Sequence, residues 1–144
     1  MANVFDVAKY ILEQKKNMST WKLQKLCYYS QAWALAWTEK PIFAEDFEAW
    51  SNGPVCRELF NIHKGKYSVC AEDIPCGDSS NLSEDEKETI NVVLRDYGDM
   101  PPYDLRGQTH SEDPWIKARG GLPDTAKSYT VITKESMGEY YGSL

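Results

Sequence analysis

The chain has 144 residues, the usual size of one domain, and with 42% hydrophobic and 26% charged residues its composition is that of a globule rather than of a disordered segment. Its net charge of −6 is concentrated, since Glu72 to Glu88 holds seven acids and one base and the rest of the chain is neutral, which argues against direct nucleic-acid binding. No apolar run approaches the roughly 18 residues of a membrane span, and the absence of a basic stretch followed by an apolar one at Met1-Ala2-Asn3-Val4 leaves a cytoplasmic protein with reduced thiols as the expectation.

Asn3 is a good N-cap for a first helix, whose apolar face is Val4, Val7, Ala8, Ile11 and Leu12 and whose end falls near Lys16-Asn17. Ser19 or Thr20 caps a second helix running to about Trp37. Leu23, Leu26, Ser30, Trp33 and Trp37 recur at steps of three and four, the pattern of an amphipathic helix, with Lys22, Lys25 and Tyr29 on another stripe. Residues 1–40 hold six Lys against three acids, a bias that reads as a solvated helix face. Ile42 to Trp50 suits a strand or hairpin, Asn52-Gly53-Pro54 a turn, and Val55 to His63 a short helix. Tyr67 to Leu82 lacks periodicity, and residues 70–82 read as an acidic, mobile surface loop. Ser83 with Glu86 forms a capping box for a helix with Ile90, Val93, Leu94 and Tyr97 on its buried stripe, ended by Gly98. Pro101-Pro102 opens a short helix through Leu105 and Gln108. Another begins around Ser111–Pro114 and ends at Gly120-Gly121. Leu122 to Thr130 is a loop, and Thr133 caps a last helix carrying Met137, Tyr140 and Tyr141.

Motifs for chemistry are sparse. Cys27, Cys56, Cys70 and Cys76 include no C-x-x-C pair. Cys56, His63, Cys70 and Cys76 are separated by six, six and five residues, unlike a zinc knuckle or ribbon. Scattered reduced thiols are the preferred reading, and no metal or cofactor is expected. His110-Ser111-Glu112 has the H-x-E of zinc deaminases, but the P-C-x-x-C that must follow is missing because every Cys lies upstream. His110, Glu112 and Arg119 are types that serve proton transfer. They equally serve a helix junction, with Glu112 near a helix start where a carboxylate is favoured. Without a nucleophile motif or a phosphate loop, the structural role is preferred and no catalysis is expected. The surplus of aromatics, with five Trp and nine Tyr, points to surface recognition. Trp21, Tyr28, Tyr29, Trp50 and Trp115 do not all fit helix stripes, and Trp and Tyr dominate protein–protein hot spots. Most of them are expected in the core and one or two against a partner.

Three segments carry a family resemblance. Met18-Ser19-Thr20-Trp21-Lys22-Leu23-Gln24-Lys25-Leu26-Cys27-Tyr28-Tyr29 resembles the "M-[ST]-x-x-K-L-Q-K-L-x-Y-Y" opening of the Panacea antitoxin domain. Phe47-Glu48-Ala49-Trp50-Ser51-Asn52-Gly53-Pro54-Val55 is similar to its "E-A-W-x-x-G-P-V" turn. Leu105 through Thr109-His110-Ser111-Glu112, Pro114-Trp115 and Ala118-Arg119 resembles "L-x-x-x-T-H-x-E-x-P-W-x-x-A-R". Met137, Tyr140 and Tyr141 also fit. The segments stand in the family's order along nearly the whole chain.

The resemblance, to a family that includes SocA-like antitoxins and phage-associated GepA-type proteins, implies a helical domain that neutralises a toxin encoded next door by binding it. Some members deliver the toxin to a host protease, and some are carried by prophages. The expectation is a single mainly α domain over residues 1–144, a bundle of six or seven helices with a small hairpin or extended segment near residues 42–51. Lys22, Gln24, Lys25, Tyr28, Tyr29, Trp50 and Asn52 are the expected partner contacts. Thr109, His110, Glu112, Trp115 and Arg119 are expected to hold a junction or line a pocket. The partner is a cognate protein toxin, with neither nucleic acid nor membrane involved. The alternatives are a prophage accessory protein that binds a host or defence factor, and an enzyme acting through His110 and Glu112.

Overall fold

The first helix, α1 (Val4–Lys15), starts on a reciprocal cap. Asn3 accepts from the Asp6 amide and Asp6 accepts from the Asn3 amide, satisfying two of the amides a helix start leaves unpaired. Every residue of the expected apolar face is buried. The computed structural model describes residues 1–144.

Helix α2 (Thr20–Thr38) is capped by Ser19, which accepts from the Lys22 amide. It is the axis of the fold rather than an amphipathic surface helix. Every residue from Leu23 to Ala32 is buried, while Trp37, expected on the inner stripe, is 51% exposed. A helix enclosed on all sides must satisfy its polar side chains internally. Gln31 does so by donating to the Phe43 carbonyl (2.7 Å) and accepting from the Ile42 amide (2.8 Å). Gln24 donates to the Cys56 carbonyl (3.1 Å) and accepts from the Cys56 amide (2.8 Å). Each glutamine serves as a backbone partner for an extended segment with no strand neighbour there.

Five short strands are interspersed among the helices. Strand β1 (Met18–Ser19) pairs antiparallel with β4 (Ser68–Val69). Strands β2 (Phe47–Trp50), β3 (Gly53–Val55) and β5 (Val131–Ile132) form an antiparallel sheet in the order β3-β2-β5. Trp50 faces Gly53 in the register, so the turn is Ser51-Asn52. Gly53 and Pro54, expected in the turn, belong to the strand. Strands β1, β4 and β5 span two residues each, too short to leave a period-two signal in the sequence.

The other helices are α3 (Arg57–His63), α4 (Glu84–Tyr97), α5 (Pro102–His110), α6 (Asp113–Arg119) and α7 (Lys134–Gly142). The Ser83–Glu86 capping box and the Thr133 cap are present. The fold is mainly α with small antiparallel sheets, as expected. Helix α2 packs along α7 and α4, and one cluster of 32 buried residues joins the helices to β2. The acidic 70–82 segment contains two 3-10 turns and lies against α1. Ile74 is fully buried, and the Asp78 amide donates to buried Asp6 at 2.9 Å. Gly77 is required there, because a β-carbon would collide with the Phe5 carbonyl.

Candidate functional site: an aromatic groove beside a buried junction

The junction forms where α5 meets α6. Glu112, between the two helices, is 4% exposed. Its Oε1 accepts from Tyr29 and Tyr141 at 2.7 Å each, and its Oε2 accepts from Gln108 at 2.9 Å. The Tyr28 and Tyr141 hydroxyls meet at 3.2 Å. Tyr29 also stacks on Tyr97 at 4.1 Å. Burial pushes the Tyr28, Tyr29 and Tyr141 hydroxyls well up, and Glu112 adds to the rise at each, so these phenols stay protonated as donors. Three hydrogen bonds, rather than a cation, compensate the carboxylate.

The neighbouring junction residues grip the hairpin. Trp115 donates from Nε1 to the Trp50 carbonyl at 2.9 Å. Arg119 donates to the carbonyls of Ala49 (2.9 Å), Pro123 (2.7 Å) and Ala126 (2.6 Å), and its guanidinium lies 4.7 Å from the Trp115 ring centre. His110 stacks on the Trp115 indole, with ring centres 3.9 Å apart. Thr109 is buried and bonds to the Arg106 carbonyl. His110 and Glu112 thus turn to different partners. One meets an indole face, the other a set of phenols.

Four of the residues expected to meet a partner lie inside the molecule. Tyr28, Tyr29, Gln24 and Lys25 are at most 2% exposed. Tyr28 and Tyr29 belong to the Glu112 network. Gln24 holds Cys56 and contacts His63 Nε2 at 2.9 Å, and Lys25 lies against Gly53. Their place on the enclosed helix α2 takes them off the surface. Lys22 is half-buried, Trp50 half-buried and Asn52 exposed. Cys56 has its thiol pushed up to about 12 by burial, the opposite of an activated nucleophile.

Trp50 and Asn52 open onto a groove of about 420 Å³, completed by Trp21, Arg57, Phe60 and Tyr129 among others. Trp21 comes from the first turn of α2, Trp50 and Asn52 from the hairpin, Arg57 and Phe60 from α3, and Tyr129 from the loop before β5. Trp50 meets Phe60 edge-on at 5.0 Å and Tyr129 at 5.6 Å. The Arg57 guanidinium lies 5.3 Å from the ring centres of both Trp50 and Tyr129. It is held by Glu48, which accepts from Arg57 at 2.8 Å and from Trp50 Nε1 at 2.9 Å. Tyr129 is 55% exposed. A larger hollow of about 760 Å³ between α2 and α7 is lined mostly by polar residues such as Glu39, Lys134 and Glu139. That lining lacks the aromatic anchors a protein partner uses. The sequence reading missed Arg57, Phe60 and Tyr129. Tyr129, an aromatic residue in a polar loop, was the one available signal.

These features define a mainly α-helical domain with an aromatic groove built around a small hairpin. Residues 23–116 match the family described as antitoxin SocA-like, Panacea domain, so the chain belongs to that family. The matched region includes the hairpin, α3 and the Glu112 junction. No curated protein and no solved structure is similar enough to match.

Proposed function

We propose that this chain is the antitoxin of a toxin–antitoxin pair and neutralises the product of a neighbouring gene by direct binding through the aromatic groove, without catalysis. The observation that carries the reading is the groove itself. It joins Trp21, Trp50, Phe60 and Tyr129 with Arg57 in one recess, and Trp, Tyr and Arg are the residue types that dominate interface energetics. Arg57 is already oriented by Glu48 and by two rings, so little rotamer freedom is lost on docking. Family membership supports a protein partner. The separate environments of His110 and Glu112 support a role without acid–base chemistry.

The test uses the adjacent open reading frame. Its product is purified and titrated with this chain in a calorimeter. Saturable one-to-one binding that Tyr129→Ala and Arg57→Ala each weaken by at least about tenfold, roughly 1.4 kcal/mol, supports the proposal. Tight binding that ignores both substitutions moves the interface elsewhere. No binding removes the neighbour as the partner and favours the accessory-protein reading.

A further inference from the structure

Strand β2 lies between β3 and β5, and its residues serve the two neighbours in alternation. Pro54 has no amide to offer its register partner Ala49. Ala49 donates instead toward β5, to the Thr130 carbonyl at 2.8 Å. Glu48, one residue earlier, therefore pairs through its backbone with Val55 of β3 and not with Val131, which faces it across β5. The amide and carbonyl of Val131 consequently point away from β2, to the outer edge of the sheet. No strand stands there, and neither Val131 nor Tyr129 makes any of the backbone hydrogen bonds of the turns and loops. Ser128 and Thr130 bond to one another and leave both free.

The opposite edge is closed. All three residues of β3 are buried, and Gln24 takes up both backbone groups of Cys56, the next residue but one after Pro54. The β5 edge is open and apolar, with Val131 42% and Tyr129 55% exposed. Tyr129-Thr130-Val131-Ile132 consists only of strong strand formers. It contains none of the charges or prolines that usually guard a free edge. Val131 and Glu48 share a face of the sheet as directly opposed residues, and Glu48 accepts from Trp50 and Arg57 on that face. The edge therefore continues into the aromatic groove, of which Tyr129 is a wall. Lys127 also lines the groove; it is exposed, and the ion pairs of the chain are all formed by other residues.

We propose that β5 receives an extended segment of the protein partner as a fourth strand of the sheet, with apolar side chains over Val131 and Tyr129 and a carboxylate beside Lys127. This docking mode rests on the antitoxin reading above and specifies which part of the toxin the groove takes. The unpaired amide and carbonyl call for an extended main chain, which supplies both complements at once, while the groove selects alternate side chains. A second copy of this chain is disfavoured as the occupant, because each copy carries a net charge of −6.

The test uses the full chain and the purified product of the adjacent reading frame. Val131→Pro removes the outward amide and no bond to β2, a position where an edge strand tolerates proline. Its affinity, read by calorimetry, is expected to fall at least about tenfold with melting unchanged, while Val131→Ala, which keeps the amide, loses less. Lys127→Glu is expected to weaken binding and Lys127→Arg to preserve it. Amide exchange followed by NMR in the wild-type chain gives a readout that no unfolding of a variant can mimic. The Val131 amide should exchange freely in the chain alone and slow by at least about a hundredfold in the complex. Binding that Tyr129→Ala and Arg57→Ala weaken, with Val131→Pro unaffected and the Val131 amide still exchanging freely, overturns strand addition and leaves the groove reading standing. Protection of Val131 in the chain alone, as a dimer, gives the edge to a second copy and also overturns the proposal. Unchanged affinity in Lys127→Glu overturns the carboxylate. Absence of any binding overturns this proposal together with the antitoxin reading.

Discussion

Replacing Glu112 by Ala tests the buried junction most sharply. The substitution leaves the Tyr29 hydroxyl with no acceptor, and it deprives Tyr141 of its shorter bond while Tyr28 remains at 3.2 Å. Gln108 is exposed and rehydrates. A stranded buried hydroxyl costs about 1–3 kcal/mol, and each of the two tyrosine hydrogen bonds to the charged carboxylate contributes about 1.5–3 kcal/mol. The expected total is therefore about 3–5 kcal/mol, or a fall in Tm of roughly 10–15 °C for a chain of this length. Urea unfolding followed by tryptophan fluorescence measures it, with an unchanged m-value showing that the native state alone is affected. The same change in a Tyr29→Phe/Tyr141→Phe background should cost far less, because the donors that needed the carboxylate are gone. A loss below about 1 kcal/mol in the wild-type background, or an equal loss in both backgrounds, would refute the network argument.

Lys25→Met should stabilise the free protein at pH 7 by about 1–3 kcal/mol, since it removes an unpaired buried charge. Between pH 8 and 10.5 the unfolded chain keeps the Lys25 proton that the native state has lost, so native stability rises with pH across that window and the variant loses the rise. His110→Phe keeps the stack on Trp115 and removes an acid sensitivity. With the native value near 4 against 6.5 unfolded, wild-type stability falls as pH drops from 6.5 to 4, and the variant's melting curve should be flatter over that range. Gly53→Ala should lower stability by about 1–3 kcal/mol, through a φ of +119° and the crowding of Lys25 and Thr109; thermal melting checks it.

Local signals in the sequence located most helices, because caps and apolar stripes are short-range chemistry. Asn3, Ser83 with Glu86, and Thr133 all cap where expected. Helix α2 misled for a long-range reason. Gln24 and Gln31 look like surface residues, yet each is paired with backbone 11 to 32 residues away. Polarity at a position says nothing about such a distant partner. Lys25 was misplaced for a different reason, because its burial is offset by no contact visible in the chain at all. The junction residues Glu112, Trp115 and Arg119 were legible as a helix–helix connection, but their grip on Tyr29, Tyr141 and the hairpin was not. The groove draws on four separated segments, so Trp21 and Trp50 stood out only as surplus aromatics, and Arg57 and Phe60 looked like ordinary members of a short helix.

The most direct test of the central claim is colony formation. The neighbouring reading frame is expressed alone, with the wild-type chain, and with the Tyr129→Ala/Arg57→Ala double variant, whose two side chains are exposed and whose loss leaves the core intact. Toxicity that the wild type relieves and the variant does not is the predicted result. A harmless neighbour, or rescue by wild type and variant alike, would contradict an antitoxin acting through the aromatic groove.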